Sequence, residues 1–299
     1  MAITLTQLTA FLAVMRGGSV TAAADELVVT QPSVSAAIAS LGRELDCHLF
    51  ERAGRGIRPT AAGTAFEPYA ADVIGLLDQG RQAAHEAAAA AARSLRIAAV
   101  TTAAESFVPA LMRAFAIEHP DVELTLDVGN REDVLERVLG HAADVAVSGT
   151  PPTDERLAAE PLMDNAIVCI TAPDDPLIGT PALAAPALRE RVWLLREPGS
   201  GTRLLNERYL AARDASPRVL TLGSNGAIKQ AARAGLGISL LSRVTVEAEL
   251  TAGLLGELRL EDQPADRPWY VLRSSVGPVR EIVETFVAFV RASYNDMPM

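Results

Sequence analysis

The sequence predicts an α/β protein in three parts: a small all-α unit at the N-terminus, a long alanine-rich helix, and a larger domain in which strands and helices alternate. Three observations carry this. Leu5, Leu8, Phe11, Leu12 and Met15 open the chain at helical spacing. The stretch from Thr60 to about Ala92 is dominated by alanine. Beyond it, short aliphatic runs such as Ser94–Val100 alternate with amphipathic segments, the pattern of strands joined by helices. With 299 residues, 49% apolar and 21% charged, the chain can bury two or three cores and is not a disordered polymer.

The first helix is expected to start at an N-cap oxygen of Thr4 or Thr6 and to stop near Gly17-Gly18. Ser19 is placed to cap a second, short helix through Ala22-Ala23-Ala24 to Leu27, whose small side chains allow close helix packing. Thr30 or Gln31 ends the following turn, and Pro32 suits the first turn of a third helix with a buried stripe of Val34, Ile38 and Leu41. Its other face carries Gln31, Ser33, Ser35 and Ala36, short groups that let a helix enter a DNA major groove and offer hydroxyls and an amide to base edges. Leu45, Leu49 and Phe50 close the core. From Glu51 to Thr60 runs a glycine-bearing ribbon with Arg52, Arg55 and Arg58 and no acid after Glu51, suited to backbone phosphates or the minor groove. The net charge of -10 and pI near 5.0 oppose nucleic-acid binding taken globally, but the charge is unevenly placed: a basic ribbon sits on an otherwise acidic chain. Residues 1–60 therefore read as a winged helix-turn-helix whose DNA contacts are Ser19, Thr30, Gln31, Pro32, Ser33, Ser35, Arg52, Arg55 and Arg58.

The run Phe11, Ser19, Ala23-Ala24, Leu27, Gln31-Pro32-Ser33-Val34-Ser35, Ile38, Leu41, Leu45, Leu49-Phe50-Glu51-Arg52, Thr60 and Gly63 resembles the N-terminus of LysR-type transcription regulators. Gly42 and Asp46 depart from that pattern, standing where an acid and a glycine are usual. The resemblance implies double-stranded DNA as partner, at promoter sites of dyad symmetry.

Residues 61–92 are expected to form one linker helix with a stripe of Phe66, Val73, Leu76, Leu77, Gly80, Ala84 and Ala87, kinked at Pro68 or starting there. A narrow apolar stripe on a long helix needs a partner, and an antiparallel copy is the simplest, giving a homodimer; packing on the chain's own C-terminal part is the alternative. The family resemblance allows a dimer of dimers, a homotetramer.

Residues 93–299 read as two α/β lobes, the first from about 93–161 and 268–299, the second from about 162–267. Strands are predicted at 94–100, 122–128, 144–149, 166–172, 192–196, 219–222, 238–241 and 269–273, with helices at 108–118 and 132–139. Ligands of open α/β sheets sit beyond the strands' carboxyl ends. That places Thr101, Thr102, Asn130, Ser148, Ser200, Thr202, Arg203 and Ser224 as candidates for a small polar or anionic effector. The segment resembles the LysR effector domain, a two-lobed fold shared with periplasmic solute-binding proteins. Arg196–Arg203 and Asn225–Gly237 are similar to a branch that includes regulators of carbon fixation and of sulfur metabolism.

Other functions find little support. Gly199–Arg203 lacks the spacing of a phosphate-binding loop, and His48, His85, His119 and His141 are scattered, so neither an enzyme nor a metal site is expected and no cofactor is implied. Cys47 and Cys169 read as reduced core thiols. Without an export signal or an apolar span, no membrane partner is expected and the location is the cytoplasm. A solute-binding protein is the closer rival, set apart by the helix-turn-helix and the absent signal.

Overall fold

The computed structural model describes residues 3–53, 56–88, 93–188 and 190–296. The chain folds as two compact units, the first carrying every element up to residue 88 and the second every element from residue 93.

In the first unit, α1 (Leu5–Gly17) opens on a reciprocal capping box: the Thr4 hydroxyl accepts from the Gln7 amide, and the Gln7 side chain accepts from the Thr4 amide at 2.7 Å. Left-handed Gly18 ends it. Ser19 caps α2 (Val20–Leu27), its Oγ accepting from the Ala22 amide at 3.0 Å. The stop after α2 is Val28 at φ 56°, a left-handed conformation that a β-branched residue resists. Thr30 precedes α3 (Gln31–Glu44), but its hydroxyl bonds the Ser33 hydroxyl at 2.8 Å instead of capping the backbone. Val34 is buried and Ile38 half-buried, packed with Val14 and with Ala10, Ala13, Ala23 and Ala24, small residues that let the three helices close on one another, while buried Leu41 packs with Leu8, Phe11, Leu12 and Leu49.

The two departures from the family pattern are coupled. Asp46 takes the left-handed conformation, φ 51°, that a glycine would adopt more readily, and the turn brings the Cys47 amide to the Gly42 carbonyl at 3.0 Å. A β-carbon at Gly42 would lie 2.9 Å from the Cys47 carbonyl oxygen, so the glycine makes room for the turn that Asp46 bends. The predicted ribbon is the antiparallel hairpin β1 (Phe50–Ala53) and β2 (Gly56–Pro59), with Glu51 opposite Arg58.

Helix α4 (Ala61–Ala88) runs for 28 residues and begins well before Pro68, so the proline lies inside the helix and does not mark its start. The expected end near Ala92 falls outside the described residues. The expected stripe divides. Phe66, with Ala70 and Ile74, packs on Leu8, Phe11 and Leu12, ring centroids of Phe11 and Phe66 lying 5.5 Å apart. Leu76 is half-buried, whereas Val73 and Leu77 are 49% and 42% exposed and Tyr69, one turn before Val73, is 69% exposed. Gly80, Ala84 and Ala87 are exposed as well.

The second unit contains two lobes. It opens with β3 (Arg93–Val100), the single turn α5 (Thr101–Ala104), α6 (Val108–Glu118), β4 (Val122–Gly129), α7 (Arg131–Leu139), β5 (Val145–Ser148) and β6 (Leu157–Met163). Crossing over, the chain forms β7 (Ile167–Thr171), β8 (Trp193–Arg196), α8 (Gly201–Ala211), β9 (Val219–Leu222), α9 (Asn225–Arg233), β10 (Ser239–Ser242), α10 (Glu247–Thr251) and β11 (Gly256–Leu258). It then returns as β12 (Trp269–Ser274) and α11 (Glu281–Asp296). Strand β6 and the short β11 were not anticipated: β6, reading Leu-Ala-Ala-Glu-Pro-Leu-Met, carries a proline and little β-branching, and lies at a sheet edge where that is tolerated.

The first lobe's sheet has the order β4-β3-β5-β12-β6, parallel from β4 to β5 and antiparallel at β12. Phe115 of α6 and Phe286 of α11 cover one face with Leu95, Ile97, Val145 and Val271, while Val134 and Val138 of α7 cover the other with Ala98 and Ala146. The second lobe pairs β10-β7-β11 antiparallel and β8-β9 parallel, joined by a bridge between Trp193 and Ile238. Because β3 lies between β4 and β5, the chain departs from β3 in opposite directions and leaves a crevice at its carboxyl end.

Candidate functional site

Two sets of residues carry chemistry. On the first unit, Gln31, Pro32, Ser33 and Ser35 share the exposed side of α3, since the buried stripe takes the opposite side. Ser19 is half-buried and its oxygen already caps α2, leaving its O–H to donate; Thr30 is tied to Ser33. In the hairpin Arg52 is exposed and makes no ion pair among the described residues. Arg58 is exposed too, with Nε on the Glu51 carboxylate at 2.8 Å. Such a solvated pair is weak and can exchange its carboxylate for a phosphate. Arg55 lies outside the described residues. A helix with short polar groups beside a cationic hairpin fits the grooves of a duplex.

On the second unit a cavity of about 60 Å³ opens between the lobes. At ~10–15 Å³ per water this is room for a few small groups. Of the eight residues expected there, Thr101, Thr102, Asn130, Ser148, Ser200 and Thr202 line it. Two do not. Arg203 turns back toward its own lobe, donating to Glu207 at 2.7 Å and to the Arg196 carbonyl at 2.8 Å. The Ser224 hydroxyl caps α9, accepting from the Ala227 amide at 3.1 Å. The causes differ: Arg203 lies in the first turn of α8, where side chains spread around the axis, whereas Ser224 precedes α9 and its hydroxyl is taken up by that helix's first-turn amide.

The residues present suit an anion. Ser200 precedes α8 without capping it, leaving the first-turn amides beside cavity-lining Gly201 and Thr202. Among the described residues the hydroxyls of Ser148, Ser200 and Thr202 take no hydrogen-bond partner. Asn130 caps α7, its Oδ1 accepting from the Glu132 and Asp133 amides at 2.8 and 3.0 Å. Arg131, Asn165, Arg196, Ser242, Arg267 and Trp269 also line the cavity. Arg196 is buried but neutralised by Glu197 at 2.7 Å and bonded to Asn225 at 2.9 Å, while Asn225 donates to the Thr102 hydroxyl at 2.8 Å and so ties the lobes together.

Arg131 and Arg267, by contrast, have no carboxylate partner among the described residues. Burial first, and then the charge of Arg208, weaken the hold of Arg131 on its proton. Arg267 is shifted the same way by burial, then Arg208, then Arg131. These guanidinium groups repel one another, and an anion between them relieves both penalties. Only Arg131 had an available signal, following Gly129-Asn130 at a strand end; Asn165 and Arg267 sit in the segments that cross between lobes, where no periodicity marks them. Cys169 is fully buried, its thiol pushed up to about 12 chiefly by burial, and is unsuited to nucleophilic or redox work.

Residues 5–64 match the model of the bacterial regulatory helix-turn-helix protein, lysR family, and residues 88–295 that of the LysR substrate binding domain. The chain belongs to the LysR family of DNA-binding transcription regulators, and it is a regulator with an effector-binding domain, not an enzyme. Among its relatives, the RuBisCO operon transcriptional regulator of Allochromatium vinosum is 36% identical over 95% of this chain and 96% of that protein. The HTH-type transcriptional regulator CbbR of Rhodospirillum rubrum is 37% identical over 97% and 96%. The solved regulatory domain of Synechocystis CcmR, in complex with 2-PG, is 35% identical, covers 69% of this chain and 99% of its own, and superposes with a TM-score of 0.65. CbnR, a LysR family transcriptional regulator, 22% identical with a TM-score of 0.63 over 98% of this chain and 100% of its own, shares the fold. Among the described residues no helix is long and apolar enough to cross a membrane.

Proposed function

We propose that this chain is a cytoplasmic homodimeric regulator of carbon-assimilation genes that responds to a small organic anion. Residues 1–60 read DNA, 61–92 link and dimerise, and 93–299 bind the effector. The observation that carries the effector class is the pair Arg131 and Arg267, cations without a carboxylate partner among the described residues, lining the same cavity as the uncapped start of α8. The names of the relatives support carbon fixation as the regulated process, and the CcmR domain's 2-PG, 2-phosphoglycolate, has the required charge. Thr101, Thr102, Asn130, Ser148, Ser200 and Thr202 supply hydrogen bonds. On the DNA side Gln31, Ser33 and Ser35 address base edges, and Arg52, Arg55 and Arg58 address phosphates. The exposed stripe of Tyr69, Val73 and Leu77 on α4 supports dimerisation, which matches a two-fold DNA site.

Capturing fragments of the source genome on the purified protein, and sequencing what is retained, tests this. Two-fold-symmetric sites beside carbon-assimilation genes, with retention modulated by 2-phosphoglycolate and falling steeply with salt, are expected. Uniform weak retention at low salt, with or without the anion, rejects the reading.

A further inference from the structure

Among the described residues, Arg131 and Arg267, the cavity-lining cations without a carboxylate, have a further such cation beside them. Gly201, Leu205 and Arg208 stand at i, i+4 and i+7 on α8 and so share one face of the helix. Gly201 and Leu205 line the cavity. Arg131 lies against that face: its Cδ is 3.4 Å from where a β-carbon of Gly201 would stand, and its Nη2 donates to the Thr150 carbonyl at 3.1 Å. The Arg267 Nη2 is 3.9 Å from the corresponding position at Gly149, the residue before Thr150, so both guanidinium groups gather at the end of β5. Arg208 is exposed and without a carboxylate partner among the described residues, and its charge is felt by both Arg131 and Arg267.

We propose that Arg208 is a specificity-determining residue, holding at the cavity mouth the second acidic group of an effector whose first group is held by Arg131 and Arg267. The site then selects small molecules with two acidic groups, such as a phosphorylated hydroxy acid, over those with one. This rests on the anionic-effector reading above. Three cations that act on one another have more charge than one carboxylate or phosphate needs, and a second anionic group on the same molecule adds a charge-assisted hydrogen bond without the cost of bringing a second ion.

Calorimetry on the full chain at low ionic strength, with 2-phosphoglycolate, malonate, glycolate and inorganic phosphate as probes, tests it on the unmodified protein, Arg208→Gln and Arg208→Lys. Expected is tighter binding of the two-headed probes, with Arg208→Gln weakening 2-phosphoglycolate by about tenfold, inorganic phosphate staying within about twofold, and Arg208→Lys restoring part of the loss. Unchanged 2-phosphoglycolate affinity in Arg208→Gln, or equal losses for one-headed and two-headed probes, overturns the role of Arg208 and leaves an anionic effector standing. No binding of any probe by the unmodified protein overturns both readings. Equal melting temperatures of the variants show that the fold is unaffected.

Discussion

The DNA-reading head and the effector cavity both use arginine, under opposite conditions. On the hairpin, Arg52 and Arg58 stand in solvent, and Glu51, the carboxylate that pairs with Arg58, is solvated as well. In the cavity, Arg131 and Arg267 are partly buried and have no carboxylate partner among the described residues, and the cation that is fully buried, Arg196, is neutralised within the protein. Exposed cations cost little to maintain and act through many weak, salt-screened contacts. Buried unpaired cations carry a desolvation penalty, so a fitting anion gains more from meeting them. In the function proposed above, the same side chain thus serves broad attraction in one unit and selective capture in the other.

The largest expected effect tests the cavity side. Arg267→Gln should weaken 2-phosphoglycolate about 30-fold, on the scale of ~2 kcal/mol for a lost charged hydrogen bond, and leave effector-free DNA affinity unchanged, as read by calorimetry and gel shift. A parallel loss of DNA affinity would break the separation between the units. Next, Gln31→Ala should cost about tenfold on the specific DNA site and little on random duplex, because base-edge contacts carry sequence information and phosphate contacts do not. Equal losses on both sequences would move Gln31 to the phosphate class.

A smaller change concerns the turn that presents α3. Val28 holds a left-handed backbone while 90% exposed, so Val28→Gly should relieve strain and raise stability by about 1 kcal/mol in urea unfolding. A destabilised variant would show that the side chain contributes more than its backbone strain costs. The smallest effect sharpens the contrast most directly: Arg52→Gln should reduce the slope of log affinity against log salt by about one, whereas effector affinity of the unmodified protein should vary less steeply with salt. An unaltered slope would remove Arg52 from the phosphate contacts.

The reading head was legible because its signals are local. Thr4 and Gln7 form a cap from adjacent turns, the three helices announce themselves by spacing and stops, and polar residues opposite a buried stripe must face solvent. Even the unusual pair Gly42 and Asp46 marked the turn whose geometry they share. In the second unit most strand cores were legible from aliphatic runs, but β6 was not, because its composition is that of an edge strand.

What the sequence determined by itself was the order of elements, the exposed polar face of α3 and the loops that flank the cavity, since each depends on residues within a few turns of one another. Tertiary structure alone decided which cations lack a carboxylate partner among the described residues. Arg203 and Arg196 find partners inside their own lobe, whereas Arg131 and Arg267, distant in sequence, are brought beside one cavity without a carboxylate. Charge compensation depends on distance in space, and spacing along the chain does not encode it.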